Sequence, residues 1–338
     1  MKTIHVTNAV GLVLGQDLTR VVPGEFKGVA FHKGHIIRSE DIPVMMNMGK
    51  DHVYILELGP GDVHENAAAE QLSLLSAGAN IIQEQASEGK VKMLADTFGL
   101  LDIHIDKLLQ INEMTGVALS TLHSGTLVNK DEVVATAKII PLTLPQDTLD
   151  HIERICASEK IISIRPIPAK KAGLVVTGNE VFYGRIKDRF EEVIQKKVSD
   201  LGSCLSQTIF VPDDIEKVSA AIKELSREND LVFVTGGMSV DPDDVTPLAV
   251  RQTGAEVIVY GSPVLPGAMF LFAYLNDTPI LGIPACGMFS KITVLDVILP
   301  KVLIGDKITS RFIASLGHGG LCRTCSEGCH YPNCSFCK

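Results

Sequence analysis

Between Asp230 and Pro247 the chain reads D-L-V-F-V-T-G-G-M-S-V-D-P-D-D-V-T-P. Asp241, Asp243 and Asp244 are closely spaced carboxylates, able to ligate a metal ion or accept a proton. Just before them, Thr235, Gly236, Gly237 and Ser239 supply hydroxyls and backbone N–H groups. Paired glycines have no Cβ to hold a ligand off, so their N–H groups can close on an anion. The chemistry this run could do is to hold an anion beside a set of acids. A lone T-G-G is weak evidence; T-G-G, Ser and three acids directly after an apolar run is far more specific.

A second group of reactive side chains lies at the other end. Cys156, Cys204 and Cys286 are scattered, but the remaining five of the eight cysteines run Cys322-x2-Cys325-x3-Cys329-x4-Cys334-x2-Cys337, with His318 and His330 nearby. The amino-terminal stretch has neither a continuous apolar segment nor a small-residue cleavage site, so it reads as no export signal. Without export, clustered C-x-x-C pairs point to a metal before they point to disulfides. Four thiolates suit tetrahedral zinc or an iron–sulfur cluster and leave one cysteine over. Spacing does not choose between the two metals. A tail this poor in apolar side chains is expected to fold only around its ion.

The elements that must position these groups are legible mainly after residue 160. Leu231–Val234 is apolar and rich in β-branched residues, as suits a strand buried on both faces of a parallel sheet. Residues 173–177 (GLVVT), 207–211, 256–260 and 280–283 read the same way. Between them, Phe190, Ile194, Val198 and Leu201 recur at helical spacing, as do Ile215, Val218, Ile222 and Leu225. Asp213 is placed to cap the second of these helices, and residues 289–303 read as a closing helix. Strands alternating with helices predict an α/β fold: a doubly wound, mostly parallel sheet. In such sheets ligands bind at the carboxyl ends of the strands. Before it comes a mixed α+β and β-rich region. Its predicted helices begin near Ser39, Glu65, Ile103 and Pro145, and its strands fall at 53–58, 80–85, 91–95, 117–122 and 133–142. His32, His35 and the His64-Glu65-Asn66 triplet read more simply as surface or capping groups than as ligands.

Residues 173–287 resemble the molybdopterin-binding domain of the molybdopterin molybdenumtransferase family (MoeA- or gephyrin-E-like). The resemblance rests on V-T-G-N-E at 176–180, on Gly184-x-Ile186-x-Asp188 and on Pro212-Asp213-Asp214. Asp230–Asp244, the V-L-P-G-A turn at 264–268 and Ile283-Pro284-Ala285-Cys286-Gly287 complete it. Residues 1–60 resemble the family's linking β-rich segment loosely. The resemblance divides the chain at 1–60, 61–172, 173–307 and 308–338, the last being the cysteine-rich tail. It implies molybdenum cofactor biosynthesis in the cytoplasm, with molybdopterin bound by Thr177, Gly178, Asp188, Asp214, Thr235, Gly236, Gly237, Ser239, Pro284, Ala285 and Cys286. Asp244 and Glu180 would serve magnesium and the transfer step, with molybdate or a molybdoenzyme as further partner and a homodimer admitted. The chain departs from the family in three places: Arg189-Phe190 replaces Ser-Asn after Asp188, the lysine of K-P-G is missing, and Pro284-Ala285-Cys286-Gly287 stands for P-G-N-P. Two other functions stay open: a carrier or sensor that binds molybdopterin or a nucleotide without turnover, and a competence-protein-type nucleotide pyrophosphatase.

Composition sets the outer bounds. With 338 residues and 46% hydrophobic side chains the chain can bury more than one core. A net charge of −9 argues against a nucleic-acid partner. The apolar runs are broken well before the roughly 18 residues a membrane span needs. An anionic ligand must therefore be held by local backbone dipoles, by a few placed cations or through a metal ion.

Overall fold

The computed structural model describes residues 2–22, 26–55, 58–239, 241 and 244–338. The chain divides into two compact units, one comprising Met1–Thr97, Leu101–Leu122 and Val128–Ile164, the other Phe98–Leu100, His123–Leu127 and Arg165–Lys338.

In the first unit an antiparallel sheet runs in the order Ile81–Gln83, Lys90–Ala95, Val133–Ile139, Val117–Thr121. Val91, Met93 and Ala95 alternate inward with exposed or half-exposed lysines and Leu94 between them, the period-two pattern of a sheet with one buried face. Helices Glu65–Ser76 and Gln146–Cys156 cover that face through Ala68, Leu72, Leu149 and Ile152. The helix expected from Ile103 starts later, at Ile105, because Ile103 ends the strand Gly99–Ile103. A smaller cluster of Val6, Leu14, Leu18, Ile37, Met45 and Val53 holds the amino-terminal hairpins.

The second unit is built on six strands: β1 (Lys171–Thr177), β2 (Cys204–Val211), β3 (Leu231–Thr235), β4 (Glu256–Tyr260), β5 (Leu271–Leu275) and β6 (Thr278–Ile283). Their order is β2-β1-β3-β6-β5-β4. The pairs β1–β2, β1–β3 and β3–β6 are parallel, while β5 runs antiparallel to both its neighbours. The mostly parallel sheet is as expected; β5 is the strand the sequence reading lacked. Helices α1 (Asn179–Phe182) and α2 (Phe190–Ser199) link β1 to β2, α3 (Ile215–Glu228) links β2 to β3, and α4 (Thr246–Gln252) follows β3. Helix α5 (Val294–Leu303) begins later than expected, because Thr293 forms a capping box with Asp296 and starts the helix there.

Both faces of this sheet are buried, which explains its unbroken apolar runs. Leu174, Val176, Phe233, Leu281 and Ile283 pack with Ile194 and Val198 of α2 and Ile298 of α5. The alternate residues Val175, Val232, Val234 and Ile280 pack with Val218, Ile222 and Leu225 of α3 and Ala249 of α4. The fold is thus doubly wound. Asp214, not Asp213, caps α3: its carboxylate accepts the N–H of Lys217 at 3.0 Å.

The cysteine-rich tail is docked on this unit by its own side chains, against the expectation that only an ion would order it. Phe336 is 4% exposed and sits in the unit's core with Leu316, and Tyr331 meets it edge to face at 6.4 Å. The tail backbone joins the rest through Cys322 N–H to Leu265 O (2.8 Å) and Leu265 N–H to Gly320 O (2.8 Å). Two aromatic rings therefore do the work that apolar content had seemed too low to do. Truncating a buried Phe costs about 3–5 kcal/mol, so Phe336→Ala is expected to free the tail. Limited proteolysis should then cut beyond residue 318 while residues 165–317 stay resistant; an equally protected tail in the variant would contradict this anchoring.

Candidate functional site

The chain leaves β1 toward one edge of the sheet, through α2 to β2, and leaves β3 toward the other, through α4 to β4. Two adjacent parallel strands with diverging connections make a crevice at their carboxyl ends. A cavity of about 600 Å³ occupies this point, lined by Thr177, Glu180, Gly236, Gly237, Ser239 and Asp244 among others.

Its floor is set by a close approach of two turns. Gly236 has φ +87°, and a Cβ there would lie 2.3 Å from the carbonyl oxygen of Thr177. Only glycine fits, and its role is to let β1 and β3 end side by side. A bulkier residue at 236 would disturb the strand ends themselves, not merely keep a ligand away. The turn is then tied down on both sides. Thr246, at the start of α4, donates its hydroxyl to Gly236 O at 2.8 Å and its N–H to Gly237 O at 3.2 Å. Tyr260, at the end of β4, donates its hydroxyl to Met238 O (2.9 Å) and Ser239 O (3.1 Å).

Three carboxylates gather at this end of the sheet. Glu180, from α1, and Asp244, from the loop after β3, both line the cavity. Asp244 accepts the N–H of Asp241 with one oxygen, at 3.2 Å. Asp213 does not line the cavity; it accepts the N–H of Asn179 at 2.8 Å with one oxygen, and its other oxygen is buried without a partner. Burial pushes the Asp213 carboxyl up, the Asn179 N–H partly offsets this, the charges of Glu180 and Asp244 push it further, and the Thr177 hydroxyl near it draws it partly back. Asp214 therefore takes the cap expected of Asp213, and neither aspartate lines the cavity. Asp243 lies outside the described residues.

The remaining walls come from two other strand ends. Pro284, Ala285 and Cys286 follow β6, and Leu265, Pro266 and Gly267 bring in the turn before β5. Burial pushes the Cys286 thiol up, which favours the neutral thiol over a reactive thiolate. Of the expected contacts, Thr177, Glu180, Asp188, Gly236, Gly237, Ser239, Asp244, Pro284, Ala285 and Cys286 line the cavity; Gly178, Asp214 and Thr235 do not. Asp188 also caps α2, accepting the N–H groups of Phe190 (3.1 Å) and Glu191 (2.9 Å). Lys187 and Arg189 line the cavity too and were missed. The signal was available, since these two cations flank the aspartate of the G-x-I-x-D motif.

The histidines read as surface or capping groups, and the tail cysteines, behave as follows. His64 is a helix cap: its Nδ1 accepts the N–H of Asn66 at 3.2 Å and its Nε2–H donates to Gly15 O at 2.8 Å. His35 bonds Asp41 at 2.6 Å through Nε2. In the tail, none of the cysteines is paired in a disulfide. Burial, together with the neighbouring Cys322 and Cys334, pushes the Cys337 thiol up to about 11. Among the described residues no three His, Cys, Asp or Glu side chains converge on a point where a metal ion would sit. The five thiols are thus near one another without forming the ready-made centre that their spacing predicts.

Residues 173–303 match the family model of a probable molybdopterin binding domain, and residues 3–57 match that of a domain of unknown function. A putative molybdopterin biosynthesis protein of Methanocaldococcus jannaschii is 24% identical over 289 residues, which are 83% of this chain and 68% of that protein. A molybdopterin molybdenumtransferase of Bacillus subtilis is 22% identical over 188 residues, 52% of this chain but only 44% of the relative. Among solved structures, a molybdopterin biosynthesis MoeA protein from Pyrococcus horikosii aligns with 90% of this chain and 74% of its own, at 13% identity and a TM-score of 0.34. The chain therefore carries a molybdopterin-binding-type domain in its second unit and is a divergent homologue of molybdopterin biosynthesis proteins. No helix among the described residues is long and apolar enough to cross a membrane.

The orphaned oxygen of Asp213 yields a measurable pH dependence. A carboxyl whose pKa is raised on folding costs stability once it ionises, and the cost is absent below its unfolded value. Asp213→Asn removes that cost and leaves an oxygen for the Asn179 N–H. The variant is expected to melt above the wild type at pH 7, with the gap closing as the pH falls toward 4, the ordinary carboxylate range. A lower melting temperature at pH 7 would show that the ionised carboxylate is stabilising.

Proposed function

We propose that the cavity at the ends of β1, β3 and β6 binds a molybdopterin-type ligand, and that the protein acts in the cytoplasm in molybdenum cofactor biosynthesis, in the manner of a molybdenumtransferase. The observation that carries this reading is the position of the cavity. It lies at the switch point of the sheet, inside the residues that match the molybdopterin-binding model, and Gly236 keeps its floor open to backbone N–H groups. About 600 Å³ is within the usual size of a small-molecule site. Lys187 and Arg189 at the same cavity supply positive charge for a ligand phosphate in an otherwise acidic protein.

In this reading Asp244 and Glu180 would hold a magnesium ion. The residues suit it, because magnesium is commonly bound by one or two carboxylates completed by ligand phosphates and water. Bound there, it would neutralise anionic oxygens of the ligand and of molybdate. The protein's own groups orient the ligand: the glycine turn on one side, and the Pro284–Cys286 and Leu265–Gly267 turns on the other. A second reading, binding without turnover, is favoured by those last two turns, which lack the lysine and the Asn-Pro of the molybdenumtransferase pattern.

The test is anaerobic binding of molybdopterin by the full chain, followed by molybdate-dependent metal insertion with magnesium present. Asp244→Asn and Glu180→Gln are each expected to keep binding within a few-fold. Insertion should fall by about 10²-fold, the usual loss when one charge-stabilising group is removed from a reacting centre. Binding with no insertion by the wild type would establish the carrier reading. Hydrolysis of a dinucleotide without molybdopterin binding would establish the pyrophosphatase instead.

A further inference from the structure

The tail cysteines are not absorbed by this function, and three of them lie together. Segments 319–322 and 335–338 of the tail meet: Cys337 donates its N–H to Gly319 O at 3.0 Å. A Cβ on Gly319 would come within 3.3 Å of Ser335 O and 3.4 Å of Lys338 O. About this contact Cys322, Cys334 and Cys337 all pack against the core of the unit, whereas Cys325 and Cys329 are exposed. After burial, Cys322 and then Cys334 are the neighbours that push the Cys337 thiol up. Cys322 also borders a cavity of about 410 Å³, through which a small molecule reaches it. Cys337 faces a separate, smaller cavity.

We propose that Cys322 and Cys337 are a redox-active pair, which a low-molecular-weight disulfide oxidises to one intramolecular disulfide and a small thiol reopens. The Cys322 sulfur attacks the small disulfide, forming a mixed disulfide and releasing one small thiol. Burial holds Cys337 as the neutral thiol, so it is not the sulfur that attacks first. It then attacks the Cys322 sulfur and releases the second small thiol. Two protein thiols give up two electrons and two protons, and the small disulfide takes up both. The structure shows the reduced state, with every cysteine free. The bond closes a loop from residue 322 to residue 337 and so restricts the opened tail. It also fixes Cys322, whose N–H holds the carbonyl of Leu265, a wall residue of the first cavity, at 2.8 Å. The tail is then fastened by Phe336 in the core and by a bond that follows the redox state.

The pair stands independently of the ligand assigned to the first cavity. Its test treats the full chain with oxidised glutathione, alkylates the remaining thiols and maps the peptides by mass. A disulfide should join the peptides that carry Cys322 and Cys337, with Cys325 and Cys329 alkylated, and dithiothreitol should reverse it. Phe336→Ala gives a readout besides mass. In that variant oxidation should slow cleavage beyond residue 318 by at least about tenfold, and reduction should restore the faster rate. Adding Cys337→Ser to the Phe336→Ala chain should abolish the slowing, and adding Cys325→Ser should not. A wild-type chain that carries only glutathione adducts, or a disulfide that uses Cys325, Cys329 or Cys334, would overturn the pair. Cleavage of the Phe336→Ala chain at one rate in both redox states would overturn the fastening.

Discussion

The contact on which the second unit depends is the approach of Gly236 to the carbonyl of Thr177. Parallel strands can end level with each other only if their exit turns do not collide, and here a single methyl group would collide. Because no side chain intervenes, β1 and β3 finish together and diverge to opposite edges of the sheet. The crevice between them is a consequence of that divergence. Everything proposed for the cavity, from its backbone donors to the carboxylates at its rim, presupposes this one bare Cα.

Burial on both faces of the sheet explains why the polar groups collect where they do. Val175 and Val176 each serve a different face, so a strand of this kind has no position to spare for a polar side chain until it ends. Charge is thereby concentrated at the strand ends: Glu180 and Asp213 on one side of the switch point, Asp244 on the other. The same economy leaves Asp213 with an unpartnered oxygen, the one buried carboxylate oxygen among the described residues in that condition. Asp214 takes the cap because its backbone is extended, at φ −133° and ψ 118°, as a helix cap requires.

Much of this was legible in the sequence, and the gaps have physical causes. Strands β1, β3 and β6 announce themselves because two-sided burial keeps their middle residues apolar, with polar residues only at their ends. Strand β5 has the same composition, L-F-A-Y-L, but it lies in a tight hairpin with β6 and no helix between, so a strand–helix rhythm passes over it. The cavity was found through its glycine turn and acids, whose types name their chemistry. Lys187 and Arg189 were missed because a surface cation looks alike whether or not it borders a pocket. Gly178, Asp214 and Thr235 were included because motifs are contiguous in sequence, whereas a cavity meets only those residues that point into it. In the tail, counting apolar residues undervalued Phe336 and Tyr331, since one ring in the right place buries what several scattered side chains would not.

Tyr260 adds a constraint of a different kind. It sits on the edge strand, yet its hydroxyl meets two successive carbonyls of the loop at the sheet's centre. That grip has a fixed span: the turn from Gly236 to Ser239 must present both carbonyls to a phenol anchored elsewhere. Surface loops usually tolerate insertions and deletions, but these four residues do not have that freedom. The length of this turn and the residue at position 260 form a pair that must change together, and a lineage that lengthens the turn is expected to lose the tyrosine along with it.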